Sequence, residues 1–193
     1  MSSPELVPVG RGFDTSLGYL AGAEDHWTQR GSGTVCDGTE PVDLLHNGEP
    51  AIGMNGTGFG GYHWRKEALR VVEEHPVQDP LYLYYAFQDC HSPQEAPQDF
   101  TEMYAQLTDS CSDDLSAISS GSWVKSRPDC GLSTRRVYNS MVSFADAALG
   151  NLTAALEAKG MWSNTLMVWH SASCNNFSRA RTSSCPRPAT STR

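Results

Sequence analysis

The sequence predicts an α/β protein with a mainly parallel sheet and flanking helices. The apolar run Leu81–Phe87, which follows Pro80 and precedes polar residues, is typical of a strand buried on both faces of a parallel sheet. A long amphipathic segment, residues 135–159, and a short apolar strand, Thr165–Trp169, come later in the chain. Strand, helix and strand in this order predict a right-handed parallel crossover.

The elements before the central strand are less regular. Residues 1–62 contain much of the glycine, and we predict loops with short strand pieces, Val42–Leu45 being the best candidate. From Trp64 to Glu74 the apolar residues recur at helical spacing, which predicts an amphipathic helix that ends before Pro76. This helix leads directly into the central strand.

The long helix after the central strand carries one apolar stripe, and Gly160 stands where a C-terminal cap belongs. Asp146 lies beside the stripe and is interpreted as a polar helix residue, not a catalyst. Residues 98–107 are compatible with a further helix, whereas residues 110–133 carry turn formers. The stripe consists of Val137, Met141, Phe144, Ala145, Ala148, Leu152 and Leu156.

Composition narrows the function classes. The net charge is -8, and the 14 Lys and Arg residues are scattered, which argues against a nucleic-acid partner. No apolar run approaches the roughly 20 residues of a membrane span. The first residues lack a basic and an apolar region, so no signal peptide is visible and the compartment is left unassigned.

The six cysteines form no C-x-x-C pair and no zinc spacing. Cys111 and Cys130 flank an insertion rich in Ser and Asp, where they either form a disulfide in an oxidising lumen or remain two thiols. Three N-x-S/T triplets, at Asn55, Asn151 and Asn176, would permit glycosylation in a secretory compartment.

Five motifs in a fixed order carry a family resemblance. They are Arg11–Asp25, His75-Pro76, the central strand with His91-Ser-Pro93, Met141–Leu156 and Gly160–Thr165. Over about residues 9–169 the chain resembles the sulfatase family, in particular its arylsulfatase B-like branch, in the alkaline-phosphatase-like superfamily.

The resemblance implies a division of the chain into two parts. Residues 1–172 are expected to form part of an N-terminal-type sulfatase catalytic domain, with a partial alkaline-phosphatase-like fold. Residues 173–193 have no acidic and few apolar side chains, and we predict a disordered basic tail of low complexity.

His91 is the candidate catalytic residue. It follows the carboxyl end of the predicted central strand, the edge at which open α/β sheets bind ligands. Taken alone, the residue favours the interpretation of a loop histidine that has a partner in its turn. The resemblance implies that this imidazole donates a hydrogen bond or a proton to a sulfate ester at the leaving-group side. A sulfated small molecule or glycan is the expected ligand, and Asp14 is interpreted as part of a structural turn.

The resembled family uses calcium and a formylglycine made from cysteine. Its calcium-binding Asp and Asn align with Ala172 and Ser173, and calcium prefers ionised carboxylates, so we expect no metal site and no bound cofactor in this chain. None of the six cysteines lies in a Cys-x-Pro/Ala-x-Arg motif. Cys185 comes nearest, but Arg187 stands where Pro or Ala is required.

These features predict a sulfatase-domain fragment, related to sulfuric ester hydrolases and catalytically incompetent by itself. One positioned acid accelerates a reaction by at best about 10²–10⁴-fold, which is far less than the acceleration that this hydrolysis requires. The alternative is a truncated pseudoenzyme that binds a sulfated glycan or a partner protein. A relative of alkaline phosphatase acting on phosphate esters is a third possibility, against which the His-Ser-Pro and Gly-Phe-Asp motifs speak.

Overall fold

The computed structural model describes residues 4–31, 40–107, 123–125 and 133–170, which contain both helices and short strands. One-turn 3-10 helices lie at Pro4–Leu6, Val9–Arg11 and Trp162–Asn164. The longer elements are β1 Leu17–Gly18, β2 Leu45–His46, β3 Glu49–Pro50, α1 Gly60–Glu74, β4 Glu95–Pro97, α2 Gln98–Glu102, β5 Trp123–Lys125 and α3 Ser133–Ala158.

Helices α1 and α3 pack against each other and form the core. The predicted stripe of α3 is confirmed, since all seven of its residues are buried. Helix α1 buries Trp64, Ala68 and Val72, as its periodicity predicted. It begins four residues earlier than predicted, at Gly60, because two glycines fit under the aromatic side chains that cover its first turn.

Gly61 is the point of closest approach between α1 and α3. A Cβ atom there would lie 2.5 Å from Cε1 of Phe144 and 2.8 Å from Cε1 of Phe59. The rings of Phe59 and Phe144 meet edge to face with centroids 5.1 Å apart, and Tyr62 contacts Phe144 at the same distance. Edge-to-face pairs of this kind stabilise a core beyond the area that they bury.

The C-terminus of α3 has the cap that the sequence predicted at Gly160. Gly160 adopts a left-handed conformation with φ +75°. Its N–H donates to the carbonyl of Glu157, and the N–H of Met161 donates to the carbonyl of Leu156, both at 2.9 Å. These two bonds form a Schellman motif, and Met161 packs against the core cluster that contains Leu156.

Both sheets in the described part of the chain are antiparallel. Strands β1, β2 and β3 form one sheet in that order, and β4 pairs with β5. The predicted strand at Val42–Leu45 is wrong in its bounds, because β2 is Leu45–His46 and Val42 makes only an isolated bridge to Arg30. The helix predicted over residues 98–107 is shorter in the structure, where α2 ends at Glu102. Hydrogen-bonded turns follow it, with the Tyr104 N–H donating to the Thr101 carbonyl.

The prediction that Leu81–Phe87 is buried on both faces is wrong. The segment is extended, but alternate side chains differ: Leu81, Leu83 and Tyr85 pack against the α1–α3 core, whereas Tyr82 and Tyr84 are 76% and 63% exposed. Phe13 contacts Tyr82 on the outer face, with ring centroids 5.8 Å apart, but most of this face stays exposed. Thr165–Trp169 behaves in the same way, with Met167 on the core and Leu166 89% exposed.

Several sequence-based predictions fall on residues outside the described part. These are the Cys111–Cys130 alternative, the disordered tail 173–193, the positions Ala172 and Ser173, and the triplet at Asn176. Among the described helices, none combines the length and the apolar character needed to span a membrane.

Candidate active-site loop

His91 lies on a tight loop, residues 88–95, which we call the histidine loop. The loop follows the extended segment 81–87 directly and runs into β4. It turns sharply, with Cys90 at φ +71°, a cis Ser92–Pro93 bond and a hydrogen bond from the His91 N–H to the Gln88 carbonyl. The His91 side chain is exposed, and its Nδ1 lies 2.7 Å from the backbone carbonyl of Ser92.

Gln88 anchors the beginning of the histidine loop. Its side chain is buried and bonded at both ends: Trp64 Nε1 donates to its Oε1 at 3.0 Å, and its Nε2 donates to Oε1 of Glu24 at 3.2 Å. A Cβ atom at Gly60 would lie 2.9 Å from the same Gln88 Oε1 and 3.3 Å from the His26 carbonyl oxygen, so a larger residue here would press on the anchor. The anchor therefore joins the loop to α1 and to the N-terminal part of the chain.

Glu95 anchors the end of the loop. It is fully buried, and its Oε2 accepts a hydrogen bond from the backbone N–H of His26 at 2.9 Å. The His26 ring is buried beside Phe59, with ring centroids 5.6 Å apart. Both ends of the histidine loop are thus fixed to residues 24–26, more than sixty positions earlier in the sequence.

Buried Gln29 holds residues 24–31 in place. Its Nε2 donates to the carbonyls of His26 at 2.8 Å and Gly58 at 3.2 Å, and its Oε1 accepts from the N–H of Gly56 at 2.8 Å. The Gly60 N–H also donates to the His26 carbonyl. The support of the histidine loop is consequently a hydrogen-bonded polar network inside the domain, in which most buried polar groups have partners.

Two carboxyl groups beside this network have raised pKa values. Burial, then the charges of Asp43 and Asp25, raise the pKa of Glu24 to about 8, against the lowering effect of the Gln88 hydrogen bond. Burial raises the pKa of Asp89 to about 7. Glu24 Oε2 and Asp89 Oδ1 are buried and have no hydrogen-bond partner among the described residues, which fits carboxyl groups that hold their protons near neutral pH.

Burial also raises the pKa of two neighbours of the acids. The thiol of Cys90 reaches a pKa of about 11, with the charge of Asp89 as the second cause. The pKa of Tyr19 rises to about 12, with Glu24 as the second cause. A neutral thiol is a weak nucleophile, so Cys90 is not suited to attack a substrate.

The described residues do not fit a calcium site. Within residues 4–31, 40–107 and 133–170, no three His, Cys, Asp or Glu side chains are placed to hold a metal ion. Asp14 and Asp146 are both exposed, the first in the bend before β1 and the second on α3. Ala172 and Ser173, the positions that the resemblance aligns with calcium ligands, lie outside the described residues.

A comparison with protein-family models shows the family of this chain. The model described as Sulfatase matches residues 2–171, which is most of the chain and includes the histidine loop and its anchors. The chain belongs to the sulfatase family. Membership supports an α/β fold of the alkaline-phosphatase-like type and a relationship to sulfuric ester hydrolases.

A curated sulfatase gives the extent of the match. Arylsulfatase J of Mus musculus is 27% identical to the chain over 169 residues, which is 86% of this chain but 24% of the relative. The chain therefore spans about a quarter of the length of that relative. The resemblance to an arylsulfatase-like branch is confirmed at the level of the family.

Sequence reasoning placed His91 at the end of the extended segment, where the structure has it, but missed its support. Glu24 was included only within a family motif, and Gln88, Gln29 and Glu95 were not selected. The sequence contains one indication of these anchors, because Gln88 and Glu95 flank the turn-forming residues around the His-x-Pro motif. Their partners could not be predicted, because the bonded residues lie 64 and 69 positions away.

Proposed function

We propose that the histidine loop is the substrate-contacting part of a sulfatase active site, with His91 directed at the sulfate ester. The observation that carries this proposal is an exposed imidazole on a loop whose two ends are bonded to buried groups, Gln88 and Glu95. A histidine held in this way can meet a ligand without ordering a flexible segment first, which lowers the entropic cost of binding.

The hydrogen bond of the His91 ring to Ser92 determines whether its other nitrogen can donate to a ligand. A carbonyl only accepts, so Nδ1 donates its proton to Ser92, and Nε2 of a neutral ring is then an acceptor. A sulfate oxygen also accepts, so Nε2 contacts it as a donor only when the ring is an imidazolium. Sulfate binding through His91 therefore requires the protonated ring.

We propose that the chain without further polypeptide does not hydrolyse sulfate esters. Its sequence contains no Cys-x-Pro/Ala-x-Arg motif, and its described residues form no metal site. In the family, calcium and formylglycine supply the electrophilic and nucleophilic chemistry. His91 alone would supply a proton or a hydrogen bond. Such a group accelerates a reaction by about 10²–10⁴-fold.

The parallel sheet belongs to the same proposal. Segments 81–87 and 165–169 each place one face on the α1–α3 core, and α3 connects them, as in a parallel crossover. We propose that they are strands of a parallel sheet of the sulfatase type. The T-shaped contact between Phe87 and Trp169, with centroids 5.0 Å apart, brings the carboxyl ends of both segments together beside the histidine loop.

Turnover of a chromogenic aryl sulfate by the purified chain with added calcium tests competence. The expected rate equals that of buffer. Sulfate release that is lost in His91→Ala would contradict this expectation. Binding of a sulfated disaccharide, measured by calorimetry at pH 5.5 and 8, tests the contact itself. His91→Ala should weaken it at pH 5.5, whereas His75→Ala, at the opposite end of the extended segment, should not.

A pseudoenzyme that binds a sulfated glycan or a partner protein is the second candidate. The exposed apolar side chains on the outer face of the extended segments favour it, since large exposed apolar patches mark interaction sites. A protein partner on this face would still bind after His91→Ala. Saturable glycan binding that depends on His91, without turnover, would support the glycan-binding form.

A further inference from the structure

The sequence contains two Asn-Gly pairs, and both lie in turns of the described chain. Asn47-Gly48 forms the turn between β2 and β3, and Asn55-Gly56 lies between β3 and α1. Asparagine is a thermally labile residue, and a following glycine makes it more so, because glycine has no side chain to keep its backbone nitrogen away from the asparagine amide. The two pairs share this chemistry, so any difference between them in the folded protein comes from the fold.

The fold immobilises the first pair. Asn47 Oδ1 accepts hydrogen bonds from Thr15 Oγ1 and from the Ser16 N–H, both at 2.8 Å, and the Asn47 N–H donates to the Ser16 carbonyl. Asn47 and Gly48 have φ angles of +54° and +85°, the two left-handed residues that a hairpin turn of type I′ requires. Movement of the Asn47 Cγ onto the Gly48 nitrogen has to displace Oδ1 from both donors, so we expect this pair to react slowly.

The second pair is less restrained. Within the described part of the chain the Asn55 side chain makes no hydrogen bond, and residues 52–58 form turns and bends rather than a helix or a strand. A Cβ atom added at Gly56 would meet nothing within 4 Å, so the backbone has open space in which to rearrange. The Gly56 N–H donates to Oε1 of buried Gln29 at 2.8 Å, which connects this exposed segment to the network under the histidine loop.

We propose that Asn55 is a site of spontaneous deamidation, and that the reaction detaches Gln29 from residues 52–58. The Gly56 nitrogen attacks Cγ of Asn55: an N–C bond forms, the bond from Cγ to Nδ2 breaks, and ammonia leaves with the proton of the Gly56 N–H. Water then opens the cyclic imide at either carbonyl and yields aspartate, or isoaspartate with the main chain running through Cγ. The proposal goes beyond the proposed function, because it involves neither His91 nor a sulfate group.

The reaction affects the buried network because it consumes one of the network's donors. The imide nitrogen carries no hydrogen, so Gln29 Oε1 loses the bond from Gly56 when the ring closes. Isoaspartate restores the N–H but adds a backbone carbon atom before it, which displaces it from Gln29. Gln29 is fully buried, and its Nε2 bonds to the carbonyls of His26 and Gly58. A buried acceptor without its donor is unfavourable, so residues 24–31, which Gln29 holds in place, become less stable.

Peptide mapping of the full chain during incubation at pH 7 compares the two pairs directly. Aspartate and isoaspartate, distinguished by electron-transfer mass spectrometry, should accumulate at Asn55 at least about tenfold faster than at Asn47, which must first give up two hydrogen bonds. In urea the fold is lost, and the two rates should become equal. Thr15→Val removes one donor to Asn47 and should accelerate the reaction at Asn47 only. Asn55→Gln should stop the reaction at position 55 and leave Asn47 unchanged.

Hydrogen exchange of the incubated chain tests the effect on the network. Amides of residues 24–31 should exchange about fivefold faster in the converted wild type than in Asn55→Gln incubated in the same way, the change expected when one hydrogen bond of the segment is lost. Amides of α3 should exchange equally in both proteins.

Two results would overturn the proposal. Absence of reaction at Asn55 in the folded chain, or a rate there that does not exceed the rate at Asn47, would show that the fold does not leave Asn55 reactive. Unchanged exchange of residues 24–31 after complete conversion would refute the effect on Gln29.

Discussion

Glu24→Gln replaces the buried carboxyl group under the histidine loop by a neutral side chain of the same shape. In the native protein Glu24 Oε1 accepts from Gln88 Nε2, and a glutamine oxygen can accept the same bond. The charges that face Glu24 belong to Asp43 and Asp25, both negative. The substitution therefore removes a titrating group and preserves the geometry of the anchor.

The sign of the pH effect follows from the raised pKa. The folded protein holds the Glu24 proton up to about pH 8, whereas a carboxyl with the ordinary value of 4.5 has lost it in the unfolded chain. Between these values the folded state binds more protons, so the free energy of unfolding falls as pH rises. At about 1.36 kcal/mol for each pKa unit, the loss by pH 8 is on the order of 4–5 kcal/mol. Such a loss is a large fraction of a typical domain stability of roughly 5–15 kcal/mol.

Urea unfolding followed by tryptophan fluorescence between pH 4.5 and 8.5 measures this effect. Wild type and Glu24→Gln should be similar near pH 4.5, and the variant should become progressively more stable than wild type towards pH 8. Asp89 titrates in both proteins and cancels from the difference. Glu73→Gln, the same change on the exposed side of α1, should keep the wild-type pH dependence. A difference between wild type and Glu24→Gln that does not change with pH would refute the reasoning.

Thermal and urea unfolding check three further predictions in the core. Gly61→Ala should lower stability by about 1–3 kcal/mol, because its Cβ would lie 2.5 Å from Phe144, whereas Gly150→Ala, with nothing within 4 Å, should raise it by about 0.5–1 kcal/mol. Phe144→Ala should cost about 3–5 kcal/mol, and Val142→Ala on the exposed side of the same helix less than about 0.5 kcal/mol. Gly160→Ala forces a left-handed alanine and should cost about 1–2 kcal/mol; an unchanged midpoint would show that the cap contributes nothing.

The helical half of the fold could be predicted from the sequence because its signals are local. The stripe of α3 repeats every three or four residues, and each of its members is buried. Gly160 ends the helix for a reason confined to its own φ angle. The start of α1 was missed because it depends on Gly61 fitting beneath Phe144, a contact across 83 positions that no local pattern contains.

The extended segments show the opposite case. Leu81–Phe87 is apolar on both faces, a pattern typical of a strand that is covered on both sides, but the α1–α3 core covers only one of its faces. Tyr82 and Tyr84 are consequently exposed. The apolar composition of a segment indicates how many of its faces can be buried. Whether they are buried depends on the segments that pack against it.

The histidine loop depends both on a local motif and on residues distant in the sequence. The distant residues hold the loop in position without a metal site among the described residues. Its motif is local, but its geometry comes from Glu24 and His26, which bond to the two ends of the loop from one short stretch. Leaving a buried donor such as the Gln88 amide unpaired costs roughly 1–3 kcal/mol, so folding itself favours the bonded arrangement. The placement of His91 is therefore a property of the folded core.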